Sequence, residues 1–308
     1  MGIALEPMLC TLGALPADEA RWSFEPKWDG FRALVHLDGH RTRVLSRRGS
    51  DLTDRCPELA PLARAVRVPC ILDGELVVLD GDGKPDFEAM RRRGLLGRVE
   101  APLLFVAFDL LVYNGDLLTG RPWRSRRAAL VRLDLEGPGW TTTRSYLGEG
   151  ASLFDATRAQ GLEGVVAKRL DAPYRPGVRS RAWVKIKHMR TATFVVGGFA
   201  VPDPDRDRRA AFLVGTREPD GHLRYAGRVE AGFPAGGMDT IRAALRPRDT
   251  SPFGVRFPYP VEYCEPELEV AVQFLDRSEQ GGLRHTSFKG IVPSSVWSQR
   301  SSDAHSSG

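Results

Sequence analysis

Lysine is rare in this chain. Lys and Arg together number 44, and only six of them are Lys. Arginine therefore carries nearly all of the generic positive charge. Guanidinium stays protonated, whereas a lysine amine can be made neutral and nucleophilic, so the positions that keep lysine are candidates for chemistry. Lys27 lies in Glu25-Pro26-Lys27-Trp28-Asp29-Gly30-Phe31-Arg32, and Lys168 closes Glu163-Gly164-Val165-Val166-Ala167-Lys168. Lys185 and Lys187 alternate in Trp183-Val184-Lys185-Ile186-Lys187, and Lys289 sits in Ser287-Phe288-Lys289-Gly290. Only Lys84, in a Gly/Asp-rich turn, belongs to no motif. Lys27 has bulky apolar neighbours, Trp28 and Phe31, and a nearby cation, Arg32. Desolvation and like charge both favour a neutral amine there, which could attack a carbonyl or a phosphorus centre. Taken alone, a Lys-x-Asp-Gly tetrapeptide reads first as a surface lysine at a strand edge.

Other residues change that reading. Asp73-Gly74-Glu75 joins two apolar runs, and Glu163 opens the Gly164-Val165-Val166-Ala167 strand. Glu75 and Glu163, at sheet positions, could hold Mg²⁺, a hard cation that takes carboxylates together with substrate phosphates. Singly, each reads as a turn residue or a surface charge. Lys185 and Lys187 point to one face of a strand. Two ammonium groups there repel unless something anionic, such as a phosphate, lies between them. Phe105 and Phe108 are core candidates, but one could stack on a purine, worth about 1–3 kcal/mol by analogy with base stacking. Arg91-Arg92-Arg93 reads equally as a DNA-phosphate contact and as a solvated charge run.

These residues need strands to hold them. Segments 31–37 and 41–46 flank Asp38-Gly39 and predict a hairpin. Further strands are expected at 70–79, 102–113, 163–169, 181–188, 193–201, 210–217, 223–230 and 261–276. Helices are expected at 57–66, 86–93, 124–133, 152–160 and 236–245. Antiparallel sheet with peripheral helices, an α+β class, fits better than βαβ alternation. After Lys187 short strands with Gly/Pro turns suggest a small barrel. The expected organisation is a first domain over 1–190, a second over 191–297 and a disordered Ser-rich tail over 298–308, with a hinge at 188–193.

Composition excludes several classes. The 308 residues carry a net charge of +5, a mild excess that permits a polyanionic partner. Four cysteines form no CxxC pair and six histidines form no HExxH motif, so a zinc site is not expected. No apolar run approaches the ~20 residues that span a bilayer, and the start lacks a signal peptide's apolar region, so no membrane partner is expected.

Six motifs in order resemble one family: Lys27-x-Asp29-Gly30-x-Arg32, Ser46-Arg47-Arg48-Gly49, Asp73-Gly74-Glu75, Phe108-Asp109-Leu110-Leu111, Glu163 to Lys168, and Lys185-Ile186-Lys187. This is the pattern of the covalent nucleotidyltransferases, namely ATP-dependent DNA ligases, RNA ligases and capping enzymes. The wording Phe24-Glu25-Pro26-Lys27-Trp28-Asp29-Gly30-Phe31-Arg32, with Leu283-Arg284-His285 and Ser287-Phe288-Lys289-Gly290 near the end, is most similar to the ligase module of bacterial end-joining DNA ligases. The resemblance covers roughly residues 5–292. It implies an antiparallel-sheet nucleotidyltransferase (ATP-grasp-like ligase) domain followed by an OB-fold β-barrel that closes over ATP.

The implied reaction seals nicks or ends in duplex DNA. Lys27 takes AMP from ATP with Mg²⁺ or Mn²⁺, AMP passes to a 5′-phosphate, and a 3′-hydroxyl displaces it. Implied nucleotide contacts are Glu25, Arg32, Arg47, Glu75, Phe108, Glu163, Lys185 and Lys187, with Glu75 and Glu163 as metal residues. Lys27, Lys185, Lys187 and Arg32 are the implied catalytic set. Asp29 could position the nucleophile or the metal. Implied partners are nicked or broken duplex DNA and a Ku-like end-binding protein, for a monomer in the bacterial cytoplasm at the nucleoid. An RNA ligase, a GTP-using capping enzyme or a weakly active DNA-end-binding repair module are the alternatives. An NAD-dependent ligase is disfavoured by the short stretch before Lys27 and the lack of a four-Cys zinc site. Two departures stand out. After Gly290 comes Ile291-Val292-Pro293, where relatives place an acidic and a basic residue that orient the outer phosphates of ATP, so slow self-adenylation is expected. Arg48 stands where Asn is common.

Overall fold

The computed structural model describes residues 5–96, 102–203, 205, 209–275 and 281–293. The expected tail over 298–308 lies outside the described residues. The chain divides into two compact units between His188 and Met189.

The first unit holds β1 (Leu9–Leu12), β2 (Trp22–Pro26), β3 (Phe31–Leu37), β4 (Thr42–Ser46), α1 (Leu62–Val66), β5 (Cys70–Val78), α2 (Phe87–Leu96), β6 (Leu103–Tyr113), β7 (Asp116–Leu117) and α3 (Trp123–Val131). It continues with β8 (Glu136–Gly137), β9 (Trp140–Thr142), β10 (Tyr146–Leu147), α4 (Gly150–Ala159), β11 (Gly164–Arg169) and β12 (Arg179–Lys187). They form a larger sheet, β4-β3-β5-β6-β9-β8 with β7 on β6, and a smaller one, β1-β12-β11-β2-β10. The β3–β4 turn is fixed by Asp38, whose carboxylate accepts the backbone N–H of His40 and Arg41 at 2.8 and 2.6 Å, with Gly39 at φ 92°.

Alternation along the strands splits the core into layers. On β3, Ala33 and Val35 enter the cluster that packs with Leu62 of α1, Met90 of α2 and Leu130 of α3, while Leu34 faces the other way. Leu34 joins Ile71, Phe108 and Leu111 of the larger sheet against Trp183 of β12 and Tyr174 of the β11–β12 loop. The outer face of the smaller sheet, with Phe24, Val165, Ala167 and Ile186, is covered by Leu153 of α4. The two sheets thus meet along a layer containing Phe108, Tyr174 and Trp183.

Two sequence expectations change here. The helix expected over 57–66 is a 3-10 turn at Pro57–Leu59 followed by the short α1, because Pro61 lacks the N–H that would continue the first turn into the second. Arg93 is not a DNA contact. It is 3% exposed, and its guanidinium donates to both Glu58 carboxylate oxygens at 2.7 and 2.6 Å. Arg91 pairs with Glu88 on its own helix at 2.7 Å.

The second unit contains β13 (Arg190–Ala200), β14 (Ala211–Arg217), β15 (Leu223–Val229), α5 (Gly237–Ala244), β16 (Val261–Tyr263), β17 (Glu269–Phe274) and β18 (Ser287–Val292). Its sheet runs β15-β14-β13-β17-β18, with β16 on β13. The strand expected over 261–276 is broken at Pro266, which has no N–H for the ladder. Among the described residues the sheet does not close by a ladder. Its ends are joined instead by two backbone bonds, Leu283 N–H to Ala226 O at 2.6 Å and Phe288 N–H to Ala231 O at 2.8 Å.

Between the sheets of the first unit, Arg126 and Asp109 form a fully buried two-pronged pair, both contacts 2.8 Å. Arg126 also donates to the carbonyls of Arg121 and Ala172, and Asp109 accepts the Leu110 N–H. Arg126→Met would leave Asp109 charged and uncompensated in the core, a loss of about 3–5 kcal/mol. The urea midpoint of unfolding measures it, and a shift worth under about 1 kcal/mol would contradict this account.

Candidate active site

Strand register brings the motif lysines together. Val166 of β11 sits between Glu25 of β2 and Lys185 of β12, and Lys168 sits between Ser23 and Trp183. One step beyond, the Lys27 N–H donates to Gly164 O at 2.9 Å, and Gly164 pairs with Lys187. Lys27 and Lys187 therefore flank Gly164. Its φ of 146° and the Ile186 carbonyl, 2.1 Å from where a Cβ would stand, leave no room for a side chain.

Glu163, one residue earlier, fills the space between the two lysines. Its Oε2 pairs with Lys27 Nζ and its Oε1 with Lys187 Nζ at 2.6 Å. Side-chain exposures are 7% for Glu163, 20% for Lys27 and 8% for Lys187. Burial opposes charge on Lys27, but the Glu163 carboxylate, helped by Glu75 and Asp29, holds its amine above the ordinary lysine value. The sequence expectation of a neutral Lys27 is thus corrected for the resting protein. The cation expected to repel it, Arg32, is neutralised by Asp73. Burial likewise opposes charge on Glu163, yet the two lysines keep its carboxyl below the usual range.

Lys27 opens onto a cavity between the sheets. Glu25, Trp28, Val166, Lys168, Trp183 and Cys10 line it from the smaller sheet's side, and Arg32, Glu75 and Phe108 from the larger sheet. Arg32 Nε and Nη2 each reach Asp73 at 2.6 Å, and its guanidinium lies 4.7 Å from the Phe108 ring centre. Lys168 Nζ is 2.7 Å from Glu25 Oε2 and 4.3 Å from both the Phe108 and Trp183 ring centres. Burial pulls the Lys168 amine down and pushes the Glu25 carboxyl up, each only partly countered by the other's charge. Glu25 Oε1 is buried with no hydrogen-bond partner. Trp28 is pinned by its indole N–H to Thr143 Oγ1 at 2.9 Å.

Most expected site residues converge, with exceptions. Phe108 lines the cavity but is only 9% exposed, with two cations already over its ring. Lys185 is half-buried and not among the lining residues. Its amine is pulled down by burial and then by the charges of Lys187 and Lys27. Arg47 stands on an exposed turn beyond β4 and does not line the cavity. Lys168, a candidate lysine left out of the expected nucleotide contacts, lines the cavity. So does Trp183, which sequence reasoning missed together with Asp73, the buried partner of Arg32. The alternation of Trp183 with Lys185 and Lys187 was the available signal for Trp183.

Among the described residues no three His, Cys, Asp or Glu side chains converge as a metal cage. Glu163 and Glu75 both lie close enough to act on the Lys27 charge. Two carboxylates suit a cation of the Mg²⁺ type, which takes one or two protein carboxylates and completes its shell with phosphates and water. Among the described residues nothing hydrogen-bonds the Glu75 carboxylate, and burial pushes its carboxyl up to about 7.

The folded-state value of Glu75 lies above its ordinary 4.5, so its contribution to stability is present below about 4.5 and lost as pH rises through about 7. Glu75→Gln, neutral throughout, escapes that loss. Its melting temperature relative to wild type should therefore be higher at about pH 8 than at about pH 5, and an equal difference at both would contradict the assignment.

Comparison with known proteins fits this geometry. The family model "ATP dependent DNA ligase domain" matches residues 7–187, and "ATP dependent DNA ligase C terminal region" matches residues 205–293. The chain belongs to the ATP-dependent DNA ligase family, a nucleotidyltransferase unit followed by an OB-fold unit. Within it, the chain is 38% identical over 298 residues to the multifunctional non-homologous end joining DNA repair protein LigD of Mycobacterium tuberculosis, covering 94% of this chain and 38% of that protein. It is 34% identical to DNA ligase C of the same organism, covering 92% of this chain and 88% of the relative. The solved structure of a mycobacterial DNA ligase D complexed with ATP and MES is 36% identical, with a TM-score of 0.59 over 94% of this chain and 95% of that one. The chain spans well under half the length of the LigD proteins it matches. Among the described residues no helix is long and apolar enough to cross a membrane.

Proposed function

We propose that this chain seals nicks or ends in duplex DNA with ATP, by way of AMP carried on Lys27. The observation that supports this best is Glu163 held between Lys187 and Lys27, the latter lining a cavity between two sheets. The Lys27 amine loses a proton and attacks the α-phosphorus of ATP, forming an N–P bond as the bond to pyrophosphate breaks. A 5′-phosphate oxygen of DNA then takes the AMP, freeing Lys27. The 3′-hydroxyl attacks that activated phosphate and AMP leaves. Splitting one difficult condensation into steps with good leaving groups is the advantage of the covalent route.

Each side chain has a role that suits its place. Lys187 and Lys185 face the α-phosphate as charge develops. Arg32 and Glu75 hold the ribose and phosphates, and Phe108 with Glu25 receives the base. Purine stacking on Phe108 requires the cations over its ring to make room. A divalent cation bound by Glu163 and Glu75 with the nucleotide phosphates would neutralise charge on the leaving pyrophosphate. Arg47 would have to meet the nucleotide or DNA from its exposed turn.

Lys289 and Ile291 are exposed on the last strand, which ends without the acidic and basic pair, and slow self-adenylation is the proposed consequence. The LigD relative is named for non-homologous end joining. By extension, broken DNA ends, a Ku-like end-binding partner and action at the nucleoid are proposed here.

Two outcomes test this. Lys27→Ala should fail to seal nicked DNA with ATP yet seal a nick that already carries 5′-AMP, because only the first two steps use the amine. Failure on both substrates would argue against the assignment of Lys27. In the wild type, the rate of self-adenylation should climb across about pH 6.5–9 without levelling, since the amine starts from a raised pKa. A plateau below about pH 8 would mean that Glu163 does not hold the proton on Lys27.

A further inference from the structure

We propose that Tyr174 is a positioning residue for the nucleotide, acting through Asp73 on Arg32. The inference rests on the reading above that the cavity takes ATP. Four groups from four chain segments close a ring of hydrogen bonds. Arg32 of β3 grips Asp73 of β5 with Nε and Nη2, each at 2.6 Å. The Tyr174 hydroxyl, from the β11–β12 loop, donates to Asp73 Oδ2 at 2.7 Å. The Met8 N–H donates to that same hydroxyl at 2.8 Å, and the Met8 carbonyl accepts Arg32 Nη2 at 3.1 Å.

Asp73 is fully buried and Tyr174 is 2% exposed, so the ring has no water to relax into. The tyrosine is itself held. Its N–H donates to Thr119 O at 2.8 Å, its ring meets Trp183 edge-on at 5.5 Å, and the Arg126 guanidinium lies 5.6 Å away.

Two donors from one guanidinium leave a carboxylate and its partner free to swing together. The third donor, from Tyr174, fixes the carboxylate and hence the plane in which Arg32 lies beside Phe108. Arg32 lines the cavity, and its Nη1 amino group makes no hydrogen bond among the described residues. That group is left for the nucleotide. A bound ligand gains from a donor already held in place, because the cost of ordering it falls on folding instead. Tyr174 also ties the larger sheet to the loop before β12, so the distance between the cavity's two walls is set at the same point.

Tyr174→Phe removes the hydroxyl and keeps the ring. A tyrosine that served only the core would cost stability and little else. The test measures self-adenylation against ATP concentration, well below each melting temperature, for wild type, Tyr174→Phe, Arg32→Lys and the double variant. Tyr174→Phe should raise the half-saturating ATP concentration about tenfold, with the maximal rate within about twofold of wild type. In the Arg32→Lys background the same change should shift it less than about twofold, because the positioned group is gone. An unchanged half-saturating concentration, a fall in maximal rate alone, or an equal penalty in both backgrounds would overturn the role. Should Tyr174→Phe not fold, Asp73→Asn takes its place with the same expected pattern. A wild type that forms no adenylate overturns the proposed function and this role with it. A wild type that adenylates beside an unaffected variant overturns this role alone.

Discussion

The first unit buries three ion pairs in or beside the layer between its two sheets. Arg126 with Asp109, Arg32 with Asp73 and Lys168 with Glu25 lie in or beside one layer, and each partner is almost or wholly out of water. Such pairs gain little against hydrophobic packing of the same shape, but breaking one leaves an isolated charge in a low-dielectric interior. Their effect is therefore specification. Arg32 can satisfy its charge only where Asp73 is, and Lys168 only where Glu25 is. Arg32 of β3 with Asp73 of β5 fixes neighbouring strands of the larger sheet, and Lys168 of β11 with Glu25 of β2 fixes neighbouring strands of the smaller one. The cavity lies between the two sheets.

The same constraint governs Lys27. Reading only its neighbours in sequence, bulky rings and an arginine, leads to a neutral amine. In the fold, Arg32 is turned to Asp73, and Glu163, distant in sequence, is turned to Lys27. Lys27 rests as an ammonium, and in the proposed reaction it must lose its proton when substrate arrives. Lys187 shares Glu163, so the carboxylate is partly occupied and its hold on Lys27 is divided.

Much of this was legible in the sequence, and the remainder has a physical reason. The β3–β4 hairpin follows from Asp38-Gly39 between two alternating runs, and β5, β6, β11 and β12 follow from their apolar content. Lys27, Glu163 and Lys187 stood out because lysine and glutamate sat in motifs whose order the family shares. Short β1 and β2 were not visible, because each is defined by the partner it pairs with more than by its own pattern. The Arg93–Glu58 pair could not be read either, since long-range partners leave no local signature, and an Arg-Arg-Arg run looks solvated until one member is found inside. Asp73 was read as part of a turn motif and proved to be the anchor of Arg32.

The central claim is that Lys27 carries AMP taken from ATP. The most direct measurement is mass spectrometry of the intact protein and its peptides after incubation with ATP and Mg²⁺, before any DNA is added. The account predicts a gain of one AMP, mapped to the peptide containing Lys27 and lost on adding pyrophosphate. AMP on another residue, or none at any pH or ATP concentration, would contradict it.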